Sequence, residues 1–202
     1  MANVPNSILA DPRFVLLRFR HFAFTPLLSL ILVFLLALNL TAQAPKPSES
    51  EIEAVYVFKF SQFINWPSGA QSKASFDICI LGDDPFGPFL DRTIHGESIN
   101  GKPVTERHLP RPQDAQGCSI LYISRSEAFR LKQDLAAVRG WPLLTVSDIP
   151  NFADQGGTIA FVLQSGRVRF EVNLTPASQA GLSFSSELLK VAVAVKGTTG
   201  SF

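Results

Sequence analysis

Toward the end of the chain, apolar and polar positions alternate with a period of two. Val168, Phe170 and Val172 fall on one side, and Arg167, Arg169, Glu171 and Asn173 on the other, which predicts a strand with one buried and one polar face. The run 158–164 before it is equally rich in β-formers, and Ser165-Gly166 between the two predicts a two-residue hairpin turn. Earlier the period changes. Ile52, Val55, Tyr56, Phe60, Phe63 and Ile64 lie on one helical stripe, so the spacing predicts a helix over 51–65. Ser48 or Ser50 can cap it, and Trp66-Pro67 stops it. Phe76 to Leu81, Cys118 to Ile123 and Leu143 to Val146 are short apolar runs that read as buried strands, with Val104 to Leu109 a further one.

Between these strands the pattern returns to helix. One is expected from Pro85 to Ile94, with Asp84 as its N-cap, and one from Ser126 to Val138 on the stripe Ala128, Leu131, Leu135 and Val138. Thr175-Pro176 opens another that Gly181 closes, and Ser185-Ser186-Glu187 opens the last, running to Val195. Apolar strands alternating with helices predict an α/β fold: a mixed, mostly parallel sheet flanked by helices on both faces, in a three-layer Rossmann-like or flavodoxin-like arrangement, with a C-terminal antiparallel hairpin.

The first 44 residues differ from the rest. Arg13, Arg18 and Arg20 precede an uncharged run from Phe22 to Leu40, and Ala42-Gln43-Ala44 follows, which is the layout of a secretory signal peptide. Pro45 disfavours cleavage after Ala44, and the apolar run is about as long as the 18–20 residues of a spanning helix. Cleavage after Ala42, or retention as an N-terminal membrane anchor, therefore stays open. Either outcome sends the remainder across a membrane. The expected organisation is a leader at 1–44, a linker at 45–50, one α/β domain at 51–196 and a flexible tail at 197–202. Removing the leader's three Arg and one Asp from 18 basic and 17 acidic residues leaves 15 and 16. No basic cluster remains that would suit a nucleic acid.

Candidate chemistry is sparse. Asp83, Asp84 and Asp148 follow strands and form a candidate ligand edge, since open α/β sheets bind ligands at the carboxyl ends of their strands. No nucleophile motif accompanies His95 or His108, and no His-x-x-x-His or Glu-x-x-His pair occurs. Neither a catalytic set nor a metal or cofactor site is expected. Cys79 and Cys118 lie in or beside strands. In an oxidising compartment an even count favours a bridge, with two buried thiols as the alternative. The polar side of the hairpin, with Arg167, Arg169, Glu171 and Asn173, plus Phe161, is the candidate partner-binding surface.

Three blocks together resemble the YfiR family of exported bacterial proteins. They are Glu53 to Pro67, Ile78 to Gly87, and Gly156-Gly157-Thr158 through Arg169-Phe170-Glu171-Val172-Asn173-Leu174 to Ser185-Ser186-Glu187-Leu188-Leu189. The resemblance implies a non-enzymatic periplasmic regulator. Such a protein holds the periplasmic sensor region of an inner-membrane diguanylate cyclase inactive and so lowers cyclic-di-GMP signalling and biofilm formation. A sensor kinase is another candidate partner, as are an OmpA-like peptidoglycan-binding outer-membrane lipoprotein that sequesters the regulator, and a second copy of the chain. The resemblance also implies a disulfide between Cys79 and Cys118, while a second bridge of the family has no counterpart here. The rival reading is a periplasmic small-molecule-binding sensor.

Overall fold

Ser48 begins the first helix. Its hydroxyl accepts from the Glu51 backbone N–H, and the Glu51 carboxylate accepts in return from the Ser48 N–H at 2.8 Å, a complete capping box. The computed structural model describes residues 46–68 and 74–197. The expected leader and the last residues of the tail lie outside them. Helix α1 spans Glu49–Phe60, so it starts inside the expected linker and ends five residues before the expected Asn65. Ser61 stops it by turning its hydroxyl onto the Phe58 carbonyl at 2.5 Å. Ile64–Asn65 then extends as β1 and pairs with Ser183–Phe184, β9. That pairing, and the extended backbone that precedes Pro67, outweigh the helical spacing of Phe63 and Ile64.

The buried side of α1 also departs from the expected stripe. Glu53, Ala54, Val57, Phe58 and Phe60 are buried, while Val55 and Phe63 are exposed. The helix is apolar around most of its circumference, so periodicity alone leaves its rotation undetermined.

The strands follow as β2 Phe76–Leu81, β3 Ser98–Ile99, β4 Lys102–Leu109, β5 Ile120–Ile123, β6 Leu144–Ser147, β7 Ile159–Gln164, β8 Arg167–Asn173 and β10 Ala194–Lys196. They form one eight-stranded sheet in the order β10-β8-β7-β6-β5-β2-β4-β3. From β4 to β7 all neighbours are parallel, and β7–β8 is the antiparallel hairpin. The five parallel strands carry the 2-1-3-4-5 order of flavodoxin-like sheets. Ser165 and Gly166, with φ of 51° and 69°, make the hairpin turn, as a turn of right-handed strand twist requires.

The helices between strands are α2 Pro88–Ile94, α3 Leu131–Ala137, α4 Leu174–Gln179 and α5 Ser186–Val191. Three differ from expectation. Asp84 is not the N-cap of α2; its carboxylate closes a local turn by accepting from the Phe86 N–H, and the helix waits for Pro88. The expected helix 126–138 is split into a 3₁₀ turn at Arg125–Glu127 and α3. The last helix ends at Val191, and Ala194–Lys196 becomes an edge strand parallel to β8.

Alternate strand residues feed two cores. On one face Ile78, Ile80, Ile120, Tyr122, Val146 and Phe161 pack under α1 and α2. On the other, Cys79, Leu81, Leu121 and Ile123 meet Leu131 of α3 and the Ile149–Ala153 segment. Gly157 sits flat on the Phe152 ring, where a Cβ would clash. Cys79 and Cys118 are bonded, with Cα atoms 5.9 Å apart, tying β2 to the entry of β5.

The bridge spans 39 residues of sequence. Reduction, or replacement of both cysteines by alanine, is expected to lower the unfolding free energy by about 3–4 kcal/mol, measured by urea denaturation of the oxidised and reduced protein. A change below about 1 kcal/mol would mean that the unfolded chain gains little freedom from its loss.

Candidate functional site

In this strand order, β2 leads to α2 on one face of the sheet and β5 leads to α3 on the other. A crevice should therefore open between the carboxyl ends of β2 and β5. Here the chain fills it. The Asp83 N–H donates to the Ser126 hydroxyl at 2.9 Å, and the Ser124 N–H donates to the Leu81 carbonyl at 3.0 Å. Gly82, at φ 88°, lies so close to Ser126 and Glu127 that a Cβ has no room. Glu127 is buried and ion-paired with Arg130. Of the expected ligand edge, Asp83 is exposed, while Asp84 and Asp148 are half-buried and belong to two separate clusters beside the closed crevice.

The first cluster joins α1 to the sheet. Glu53 of α1 is only 7% exposed, and the fully buried Tyr122 of β5 donates its hydroxyl to the Glu53 carboxylate at 3.3 Å. Asp148, one residue past β6, pairs with Arg125 at 2.7 Å, and Arg125 reaches solvent. Phe86 sets its edge on the Tyr122 ring, with centroids 4.6 Å apart. Burial pushes the Glu53 carboxyl up to about 7, and the Asp148 charge adds to the rise. Burial, with Glu53 and Asp148 alongside, also drives the Tyr122 phenol far above its ordinary range. The phenol therefore serves as a fixed donor, and Glu53 is the group whose proton responds near neutral pH.

The second cluster is Asp84, Glu106 and His108, each offering one ligand atom within 4.8 Å of the others. Glu106 and His108 are two apart on β4 and so share a face. Helical spacings do not reveal such a pair; Glu-x-His on a strand is the signal that would have.

The expected partner surface is partly exposed. Arg167 lies at the hairpin tip and Arg169 is half-buried. Glu171 is bound to Lys196 at 2.8 Å. Asn173 is committed to structure, since its carbonyl caps α4 at the Thr175 N–H and its amide donates to the Ala153 carbonyl. Phe161 is core, stacked on Phe60 with centroids 5.8 Å apart, and presents no surface to a partner. Strand alternation placed it on the inner face with Ile159, and α1 covers that face. What sequence reasoning missed is the apolar rim beside the hairpin: Val191 is 59% exposed and Leu163 58%, with Phe63 and Val193 also showing. A recess of about 230 Å³ opens beside Phe63 and Val191, with Tyr56, Lys59, Phe170 and Glu187 also in its wall.

The model of the YfiR/HmsC-like family (DUF4154) matches residues 50–193. Among solved structures, the chain is similar to a conserved domain protein from Vibrio cholerae, with a TM-score of 0.49 and 11% identity over 74% of this chain and 60% of that one. It is also similar to an ABC domain in complex with L-Trp from Streptococcus pneumonia, with a TM-score of 0.48 and 11% identity over 72% and 60% of the two chains. The chain thus spans about three fifths of the length of each.

Glu53 fixes the sign of one pH effect. Its carboxyl titrates at about 7 when folded and at 4.5 ordinarily, so across that window the folded state holds a proton that the unfolded chain has released. Its contribution to stability is complete below the lower value and is lost as pH rises through the upper one. Glu53→Gln is expected to flatten the fall in thermal midpoint between about pH 5 and about pH 8 and to raise the midpoint at the alkaline end. Parallel pH curves for the two proteins, by calorimetry, would rule this out.

Proposed function

We propose that this chain, which belongs to the YfiR/HmsC-like family, is a non-enzymatic periplasmic regulator that binds the periplasmic sensor region of an inner-membrane diguanylate cyclase and holds it inactive. The observation that carries the reading is the extent of the family match, which takes in every core element from α1 to α5. The family is regulatory in character, and the Cys79–Cys118 bridge fits an oxidising compartment such as the periplasm.

The binding surface we assign is the outer end of the hairpin. β10 pairs with Glu171, Val172 and Asn173 alone, so Arg167 to Arg169 have β7 as their single strand neighbour among the described residues. Arg167 and Arg169 stand on one side of this free edge; exposed Leu163 pairs with Val168 of the other side, and exposed Val193 donates its backbone N–H to the Phe170 carbonyl. Apolar anchors bordered by Arg are what protein interfaces favour. Glu171 and Asn173 support the surface from behind, through Lys196 and α4. Sequestration by an OmpA-like lipoprotein would compete for the same regulator.

A cleft of about 610 Å³ between the end of α3 and α4, with Trp141, Arg139 and Lys132 in its wall, favours a second reading. It is the size of a small-molecule site, and a metabolite bound there would make the chain a ligand-responsive sensor.

The test is capture of the cyclase from solubilised membranes of the source organism by the oxidised protein. The wild type is expected to retain it, and Arg167→Glu/Arg169→Glu to lose it while keeping its thermal midpoint. Undiminished capture by a folded double variant would remove the hairpin from the interface. Failure of the wild type to retain any signalling protein would turn the reading toward the cleft.

A further inference from the structure

We propose that Asp84, Glu106 and His108 form a binding site for a divalent transition-metal cation of the Zn²⁺ class. The site is independent of the regulator reading and stands on how these residues are held. Glu106 and His108 face Ile78 and Ile80 across the β4–β2 ladder, and Asp84 follows β2 by three residues, so the turn after β2 brings its carboxylate over the end of β4.

Each ligand atom has a reason to be where it is. Asp84 spends one oxygen on the Phe86 N–H at 2.8 Å, which orients the carboxylate. The Glu106 side chain is only 10% exposed, and one of its oxygens takes the His108 Nε2 at 2.9 Å. Its other oxygen, Oε2, is buried with no hydrogen-bond partner among the described residues. An orphaned carboxylate oxygen is a costly thing to bury, and native proteins rarely leave one without a reason. Asp91 of α2 adds a further negative charge close enough to weigh on Glu106. The His108 imidazole engages one oxygen of Glu106, and a bound cation would relieve both the orphaned oxygen and the crowding of carboxylates.

The donor set selects the ion. Three protein ligands, one imidazole and two carboxylates, with ligand atoms within 4.8 Å of one another, need a small inward rotation to reach the distances of about 2.0–2.2 Å at which zinc is held. The Glu106–His108 hydrogen bond is the contact that a cation would replace. An all-oxygen cage would suit calcium or magnesium, and the imidazole moves the preference to zinc. His108 is 56% exposed, which leaves a coordination position facing solvent, as in zinc sites that take water or an outside ligand in fourth place.

The experiment uses protein exported to the periplasm, purified without a histidine tag, stripped with chelator and titrated with zinc chloride by calorimetry. One zinc per chain is expected, with affinity falling at least about tenfold in His108→Ala and in Glu106→Gln, and unchanged in His95→Ala. Zinc should raise the thermal midpoint of the wild type and leave that of His108→Ala unmoved. His108 is a surface residue, so this variant tests the site even if Glu106→Gln fails to fold. Absence of stoichiometric binding to the wild type, or binding that survives both substitutions, would overturn the proposal.

Discussion

The molecule depends on one helix being held across one face of a mixed, mostly parallel sheet. α1 carries Phe60 into a group of four rings with Tyr56, Phe161 and Phe170, at centroid distances of 5.1–6.1 Å. Each buried ring of this kind contributes roughly 1.5–3 kcal/mol by area, and the edge-to-face pairs add directional preference. The rings on the sheet side come from β7 and β8, so the same contact that seats the helix also braces the hairpin. Two turns earlier, the helix brings Glu53 down onto Tyr122. The helix therefore contacts both the hairpin and the buried polar pair, and Ser48 and Ser61 set where it begins and ends.

A buried carboxyl at the junction of helix and sheet has a definite consequence. With its proton, Glu53 is a neutral neighbour for the Tyr122 phenol and α1 docks at little electrostatic cost. Without the proton it is a charge in an apolar setting with a second carboxylate, Asp148, nearby. Perturbed carboxyls often mark catalytic sites. Here Glu53 and Tyr122 are buried, and the exposed Arg125 pairs with Asp148 beside them. The same economy governs the sheet's switch point, where Gly82, Ser126 and Glu127 occupy the space that ligands take in open α/β sheets. The chemistry that remains is displaced to either side, to Glu53 with Tyr122 and to Asp84 with Glu106 and His108.

Much of the architecture was legible in the sequence, for reasons that can be traced to residues. The apolar runs at Phe76–Leu81 and Ile120–Ile123 are strands because both faces of the sheet are covered. Ser165-Gly166 makes its hairpin because a short turn of positive φ needs little context. The disulfide was legible through the resemblance as well as through the cysteine count. The rotation of α1 was not, because Ile52, Ala54, Val55, Tyr56, Val57, Phe58 and Phe60 leave few polar positions to mark its outer side. With the rotation hidden, the burial of Glu53 was hidden too. The Glu106–His108 pair escaped because its meaning depends on Asp84 arriving from the turn after β2, a tertiary fact. β10 reads as a helical continuation of Leu188 and Leu189 until its pairing with β8 is known.

The hairpin shows how local rules leave part of a strand edge uncovered. An unpaired strand edge invites association with any other chain, and proteins commonly blunt it with charge or cover it. In this sheet the cover is partial. β10 shields Glu171 to Asn173 and is pinned there by Lys196, which bridges Glu171 and Asp154. Beyond it the edge runs free toward the turn, guarded by Arg167 and Arg169 on one side. On the other side Val168 and Phe170 are already spent on the core. Leu163, opposite Val168 in the hairpin register, is exposed all the same. The proposed docking surface, a guarded edge with apolar residues at its margin, would suit a partner that brings acidic groups for the arginines and an apolar segment for the rim. The opening rests on the shortness of β10, which pairs with three of the seven residues of β8 and leaves Arg167 to Phe170 without a strand neighbour on that side among the described residues.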